Sequence, residues 1–194
     1  MRHLISPLDF TVEETYEVLD FADRIAANPK AYAHAADGRQ LATLTNGDTS
    51  VSYGYNNGSI RTTKIVNGVK YTYAYLNGQL LYETRGDAKF YYSYDANGIL
   101  YNVRYTLTDG DTEYSYYYTH NSRGDIVGIY NGAGELKAHY EYDAWGNVIS
   151  ITDNNGNAIT SPNHIGNLNP FRYRGYYQDT ETGLYYLMSR YYDP

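Results

Sequence analysis

The chain has 194 residues, enough for one domain with a real core and too few for two of ordinary size. Fifteen basic against 22 acidic residues leave a net charge of −7, which argues against nucleic acid as the main partner, since phosphate binding needs a cationic face. Cysteine is absent, so disulfides, thiolate metal sites and cysteine nucleophiles are excluded together. No apolar run is long enough to span a membrane, and Met1-Arg2-His3-Leu4 opens no hydrophobic signal core, so neither a membrane span nor an export signal is expected in this chain. The 27 tyrosines, beside 4 phenylalanines and 1 tryptophan, point to a tyrosine-rich all-β body.

Residues 1–37 read differently from the rest. Thr11 and Glu14 fit a capping box, Val12 to Ala27 follow a helical period, and Asn28-Pro29 stops it. Glu13, Glu17, Asp20 and Arg24 fall on one narrow stripe, so most of the helix circumference is apolar and is expected to pack over a sheet.

From about residue 40, short aromatic stretches alternate with turns. Asn-Gly occurs seven times, from Asn46-Gly47 to Asn155-Gly156, and suits two-residue hairpin turns because both residues tolerate positive φ. A longer unit, Tyr-x-Tyr followed by Gly, recurs at Tyr53, Tyr73, Tyr92, Tyr116 and Tyr140. Its glycines (58, 78, 98, 124 and 146) are 20, 20, 26 and 22 residues apart. Each unit is one hairpin, and stacked units bury what each cannot bury alone. Both rings of a Tyr-x-Tyr share a strand face, so successive hairpins align tyrosine ladders across the sheet. The expected fold is mainly β: a curved, open antiparallel sheet of roughly eight to twelve strands made of stacked hairpins, with one N-terminal helix. Three segments are expected: helical 1–37, the hairpin sheet 38–160 and a terminal segment 161–194.

No catalytic constellation is evident. The five histidines are scattered without metal-pair spacing, and no nucleophile elbow or phosphate loop occurs. Asp153-Asn-Asn155-Gly-Asn157 lacks the glycine and final glutamate of a calcium loop and reads as a hairpin turn. Neither a metal nor a cofactor is expected. Arg85-Gly86-Asp87 and Arg123-Gly124-Asp125 copy an adhesion tripeptide, but each stands where the repeat needs a turn. Trp145 suits sugar stacking, against a default of packing in a hairpin corner.

The last 26 residues, NPFRYRGYYQDTETGLYYLMSRYYDP, together with YDAWGN at 142–147, closely resemble the core segment of Rhs, or YD-repeat, proteins. Tyr94-Asp95…Gly98 and Tyr142-Asp143…Gly146 carry the eponymous motif. The helical head resembles the segment preceding the core in wall-associated members. The resemblance implies a β-ribbon that spirals into a shell around a C-terminal toxic effector, with the core segment turned inward as a plug, as in toxin-complex subunits, polymorphic toxins and teneurins. It implies that the plug motif is Arg172, Tyr173, Arg174, Gly175, Tyr176, Gly183, Leu184, Tyr185, Arg190, Tyr191, Tyr192, Asp193 and Pro194. Arg172 and Arg174 are expected to stack on tyrosines and pair with Asp179, Glu181 or Asp193, pinning the plug to the sheet; Arg190 is expected to act similarly. The implied partners are the remainder of the shell and a downstream effector, with secretion or cell-surface display of the full-length protein. With only five or six repeat units, and ending before the stretch where such proteins cleave themselves, the chain is expected to be a non-catalytic fragment of a shell. The alternative is a carbohydrate-binding or adhesion module using the tyrosine-rich face. Exposed sheet edges also make an edge-mediated dimer an expectation.

Overall fold

The computed structural model describes residues 43–46, 48–107 and 112–194. The expected helix within 1–37 lies outside them. Eleven strands form one antiparallel sheet in strict sequence order: β1 (Thr43–Asn46), β2 (Thr49–Tyr55), β3 (Arg61–Val66), β4 (Val69–Leu76), β5 (Gln79–Arg85), β6 (Ala88–Tyr94), β7 (Leu100–Thr106), β8 (Glu113–His120), β9 (Ile126–Asn131), β10 (Leu136–Tyr142) and β11 (Val148–Thr152). The sheet is curved and open, because β1 and β11 do not pair with each other.

Turn chemistry sets this meander. At Asn67-Gly68 both residues take positive φ (47° and 86°), as do those at Asn77-Gly78 (52° and 81°), the backbone whose twist matches that of the flanking strands. The longer turns use the Asp or Asn at the end of the strand, which at Asn56, Asp95 and Asp143 directly follows a Tyr-x-Tyr. Asp95 Oδ1 accepts from the amides of Asn97 and Ile99, Asp143 Oδ1 from those of Trp145, Gly146 and Asn147, and Asp153 Oδ1 from those of Asn155 and Asn157. Asn56, Asn121 and Asn131 do the same. The Tyr-Asp of the repeat is therefore a strand end followed by a turn cap, and asparagine can replace aspartate as that cap because the turn amides need only one acceptor oxygen.

Register then sorts the side chains. Tyr53, Lys64, Tyr71 and Arg85 stand opposite one another across β2 to β5, and Glu83, Phe90, Tyr105 and Tyr114 across β5 to β8. Directly opposed residues share a face, so both rows lie on the inner one. Along the second row the rings of Phe90 and Tyr105 stack at 5.2 Å, and those of Tyr105 and Tyr114 at 5.0 Å.

After β11 the chain turns back. Thr152 bridges to Ala158, and Ile159 N–H donates to Ile151 O. It then crosses the inner face as one helical turn, α1 (Ile165–Leu168), a 3-10 turn (Tyr173–Gly175) and a small antiparallel sheet, β12 (Tyr177–Gln178), β13 (Tyr185–Tyr186) and β14 (Tyr191–Tyr192). The core lies between the two layers: Tyr73, Phe90, Tyr92, Val103, Tyr105, Ile129 and Tyr140 from the large sheet, with Ile165, Phe171 and Tyr177 from above.

Candidate functional site: the lock between sheet and core segment

The inner face carries ions where a β core ordinarily carries hydrocarbon. Arg61, Lys64, Glu83 and Asp179 are all fully buried. Arg61 opens β3 beside the irregularity at Gly54/Tyr55, where Tyr55 pairs with Arg61. Its Nη1 donates to Asp179 Oδ2 at 2.6 Å, and its backbone N–H donates to the Tyr186 hydroxyl at 2.9 Å. The guanidinium is surrounded by the rings of Tyr186, Tyr73, Tyr177 and Tyr53, with centroids 4.3, 4.7, 5.0 and 5.5 Å away. Its Nε and Nη2 have no hydrogen-bond acceptor, so the aromatic faces take that place.

Lys64, on the same strand face, donates to Asp179 Oδ1 at 2.9 Å and to both oxygens of Glu181 at 3.1 and 2.9 Å. One turn of the core segment, 179–183, thus supplies both carboxylates, and Gly183 closes it at φ 80° by donating to Asp179 O. A second junction lies two strands away. Glu83 accepts from Arg85 Nε at 2.8 Å and from the hydroxyls of Tyr92 and Tyr177, and Arg85 Nη1 donates to Leu168 O at 2.6 Å.

Three cations (Arg61, Lys64, Arg85) meet three carboxylates (Asp179, Glu181, Glu83), so the buried network is neutral. That neutrality is what allows the charges to remain buried. Burial alone would raise the Asp179 carboxyl; Arg61 and Lys64 outweigh it and hold the group below the ordinary aspartate value. Burial works against the charge on Arg61 as well, and Asp179, together with the surrounding Tyr73, Tyr191 and Tyr177, more than restores it.

The expected plug residues occupy several different places. Arg172 is buried, donates Nη1 to Gln178 Oε1 at 2.7 Å and lies over the Tyr140 ring at 5.6 Å. Arg174 is exposed over the ring of Tyr173 at 5.4 Å, with its backbone N–H on Asp125 Oδ1. Arg190 is exposed in the β13–β14 turn, where its carbonyl accepts from Leu187 N–H. The expected pairing of these arginines with Asp179 and Glu181 is therefore corrected: Arg61 and Lys64 of the sheet hold those carboxylates. Register puts both cations on the inner face opposite the 179–183 turn, more than 100 residues further along the chain.

Tyr173, Tyr185 and Tyr192 act together on the β10–β11 turn. Their hydroxyls donate to the carbonyls of Ala144, Gly146 and Trp145 at 3.2, 2.9 and 2.5 Å. The Tyr173 ring lies so close to Gly146 (φ 104°) that a Cβ there would sit 2.6 Å from it. Gly175 takes φ 68°, Tyr176 is exposed, and Leu184 O accepts from Asp179 N–H. Tyr191 packs on Tyr53 at 5.5 Å. Asp193 is exposed and Pro194 half-buried. Trp145 is 70% exposed, which corrects the default of a packed hairpin corner: the tyrosines hold its backbone and leave the indole in solvent. Both adhesion-like tripeptides are absorbed by the fold. Asp125 is buried on Asn121 and the Arg174 amide, and Arg85 is committed to Glu83.

Among the described residues no group of three or more histidine or acidic side chains is placed to hold a metal, and no helix is long and apolar enough to cross a membrane.

Comparison with known proteins agrees with this architecture. The RHS Repeat family model matches residues 120–158. The tRNA3(Ser)-specific nuclease WapA of Bacillus spizizenii is 38% identical over 147 residues, which is 74% of this chain but 6% of that protein. The crystal structure of TcdB2-TccC3 superposes with a TM-score of 0.57 at 21% identity, covering 78% of this chain and 8% of that one, a likeness of fold. A stretch of 43 residues, 22% of the chain, is 58% identical to the aspartate carbamoyltransferase catalytic subunit of Clostridium acetobutylicum, of which it spans 14%. The hairpin meander, the Tyr-Asp turn caps and the Rhs-type relatives agree, and the chain belongs to the Rhs, or YD-repeat, family.

Proposed function

We propose that residues 38–194 are a shell-and-plug module of an Rhs-type polymorphic toxin. In this reading 38–160 are wall and 161–194 are the plug, and the module contains or presents a C-terminal effector without performing bond chemistry itself. The observation that carries the reading is the neutral, buried lock: a terminal segment lies on the inner face of the sheet, held by ion pairs from Arg61 and Lys64 to Asp179 and Glu181. Such a joint contributes rigidity and position, not turnover. Its partners are further hairpins of the same shell and the effector, and the full-length protein is secreted or displayed at the cell surface. The test is intact-mass analysis of the native gene product purified without protease. Discrete fragments, one ending a little beyond Pro194, support containment; a single polypeptide ending at or near Pro194 removes the cargo and the reading with it.

A second reading, a carbohydrate-binding or adhesion surface, is favoured by one observation: Trp145 is solvent-exposed on a turn whose carbonyls are held by three tyrosine hydroxyls. Trp145 fluorescence titrated with a glycan panel tests it, and no response to any sugar rejects it.

The N-terminal segment is proposed to be foreign to the shell. The repeats begin at Tyr53, and the WapA likeness already accounts for 74% of the chain, so the carbamoyltransferase-like stretch fits residues before the repeats. That placement replaces the expected kinship of the helical head with wall-associated members. A stretch spanning 14% of the enzyme subunit is not proposed to transfer carbamoyl groups. Long-read sequencing of genomic DNA and transcripts across codons 35–55 tests it; a locus in which hairpin repeats continue upstream of Thr43 would overturn it.

A further inference from the structure

Arg172 is the exception to the charge balance of the inner face. Its side chain belongs to a residue only 6% exposed, yet its one hydrogen-bonded side-chain partner is the neutral Gln178, and its Nε has no acceptor. No carboxylate among the described residues forms an ion pair with it. The other buried cations differ: Arg61, Lys64 and Arg85 each have an acidic partner within 3 Å. A buried guanidinium without a counter-anion is costly, and proteins ordinarily supply one.

Space for one lies on both sides. Arg172 and Gln178 line a cavity of about 660 Å³ between the inner face and the core segment, and also a neighbouring one of about 280 Å³. In the larger cavity Lys64 and Arg85 join Arg172, against the single carboxylate of Glu181; amides of Asn163 and Asn167 complete the polar wall. Asp193 is the one acidic residue on the smaller cavity. The acidic partners of Lys64 and Arg85 neutralise those two cations, which leaves Arg172 as the uncompensated charge.

We propose that the Arg172 cavity is an oxyanion site, taking a carboxylate or a phosphate group on the guanidinium fork. Such a group has two sources: a free small anion, or the acidic side chain of a polypeptide lying on the inner face. The inference is independent of the shell reading, since it rests on the charge and space around one residue.

The test uses the whole chain at constant ionic strength. The Nε–H resonance of Arg172, assigned by its disappearance in Arg172→Gln, is followed by 15N NMR during titration with inorganic phosphate, with acetate and with the capped tripeptide acetyl-Gly-Glu-Gly-amide. A saturable movement of that resonance is expected. Arg172→Gln should weaken the accompanying thermal stabilisation at least tenfold in apparent affinity, while Arg104→Gln, at an exposed pair, should leave it unchanged. Tighter binding of the tripeptide than of acetate identifies the polypeptide source, and the converse the free anion. An immobile Arg172 resonance with all three probes overturns the proposal, as does a stabilisation that survives in Arg172→Gln. If the Gln variant does not fold, the resonance is assigned through its scalar-coupled side chain and the wild-type titration decides.

Discussion

Replacing Asp179 with asparagine preserves the size of the side chain and removes one charge from the centre of the lock. Among the described residues, Arg61 then loses its only carboxylate and Lys64 keeps Glu181 alone. Both cations are buried, so solvent cannot compensate, and removal of one partner of a buried pair costs about 3–5 kcal/mol. For a body of this size each kcal/mol lowers Tm by about 2–4 °C, so a fall of roughly 6–20 °C is expected in a thermal melt, with a matching shift of the guanidinium midpoint. Coupling should be visible as well: combining Asp179→Asn with Arg61→Met should cost at least about 1 kcal/mol less than the sum of the two single changes, because the second removes an already orphaned charge. The pH profile follows from the depressed Asp179 carboxyl. A carboxyl lower in the folded than in the unfolded state contributes stability that is fully present above its unfolded value and is lost as pH falls through its folded value. The wild-type chain should therefore lose stability on acidification below the ordinary aspartate range, and Asp179→Asn should flatten that limb. A loss under about 1 kcal/mol, additive with Arg61→Met and unchanged in its acid limb, would refute the lock.

Gly146→Ala places a Cβ 2.6 Å from the Tyr173 ring at a φ of 104°, and should destabilise by about 1–3 kcal/mol in urea unfolding. Its neighbour Trp145→Ala should change stability by no more than about 0.5 kcal/mol, since the indole is 70% exposed; a larger loss would mean that it packs. Asp95→Ala removes the acceptor for two turn amides and should cost about 1 kcal/mol, whereas Asp95→Asn should be nearly neutral, as Asn56 and Asn131 stand in the same role. Glu113→Gln breaks an exposed pair with Arg104 at 3.6 Å and should move the midpoint by less than about 0.5 kcal/mol.

The sheet was legible in the sequence because its causes are local. Asn67-Gly68 fixes a two-residue turn by positive φ, Asp143 caps its own turn, and a period of two puts both rings of Tyr140-Glu-Tyr142 on one face. None of these needs a distant partner, so the hairpin order and the open antiparallel sheet follow from reading along the chain. The lock is a different kind of feature. Arg61 meets Asp179 across 118 residues and Lys64 meets it across 115, and no spacing encodes such a contact. One signal was present: Lys64 occupies an inner position of β3 opposite Tyr71, where a buried strand face ordinarily carries an apolar residue. A cation on such a face requires a buried anion, and Asp179 and Glu181 of the core segment carry the matching sign. Which anion answers which cation depends on where the returning chain crosses the sheet, so Arg172 received Gln178 instead of the expected carboxylate and Trp145 was left in solvent. Local turn chemistry determined the wall, and only the packing of the core segment against it decided where the charges meet.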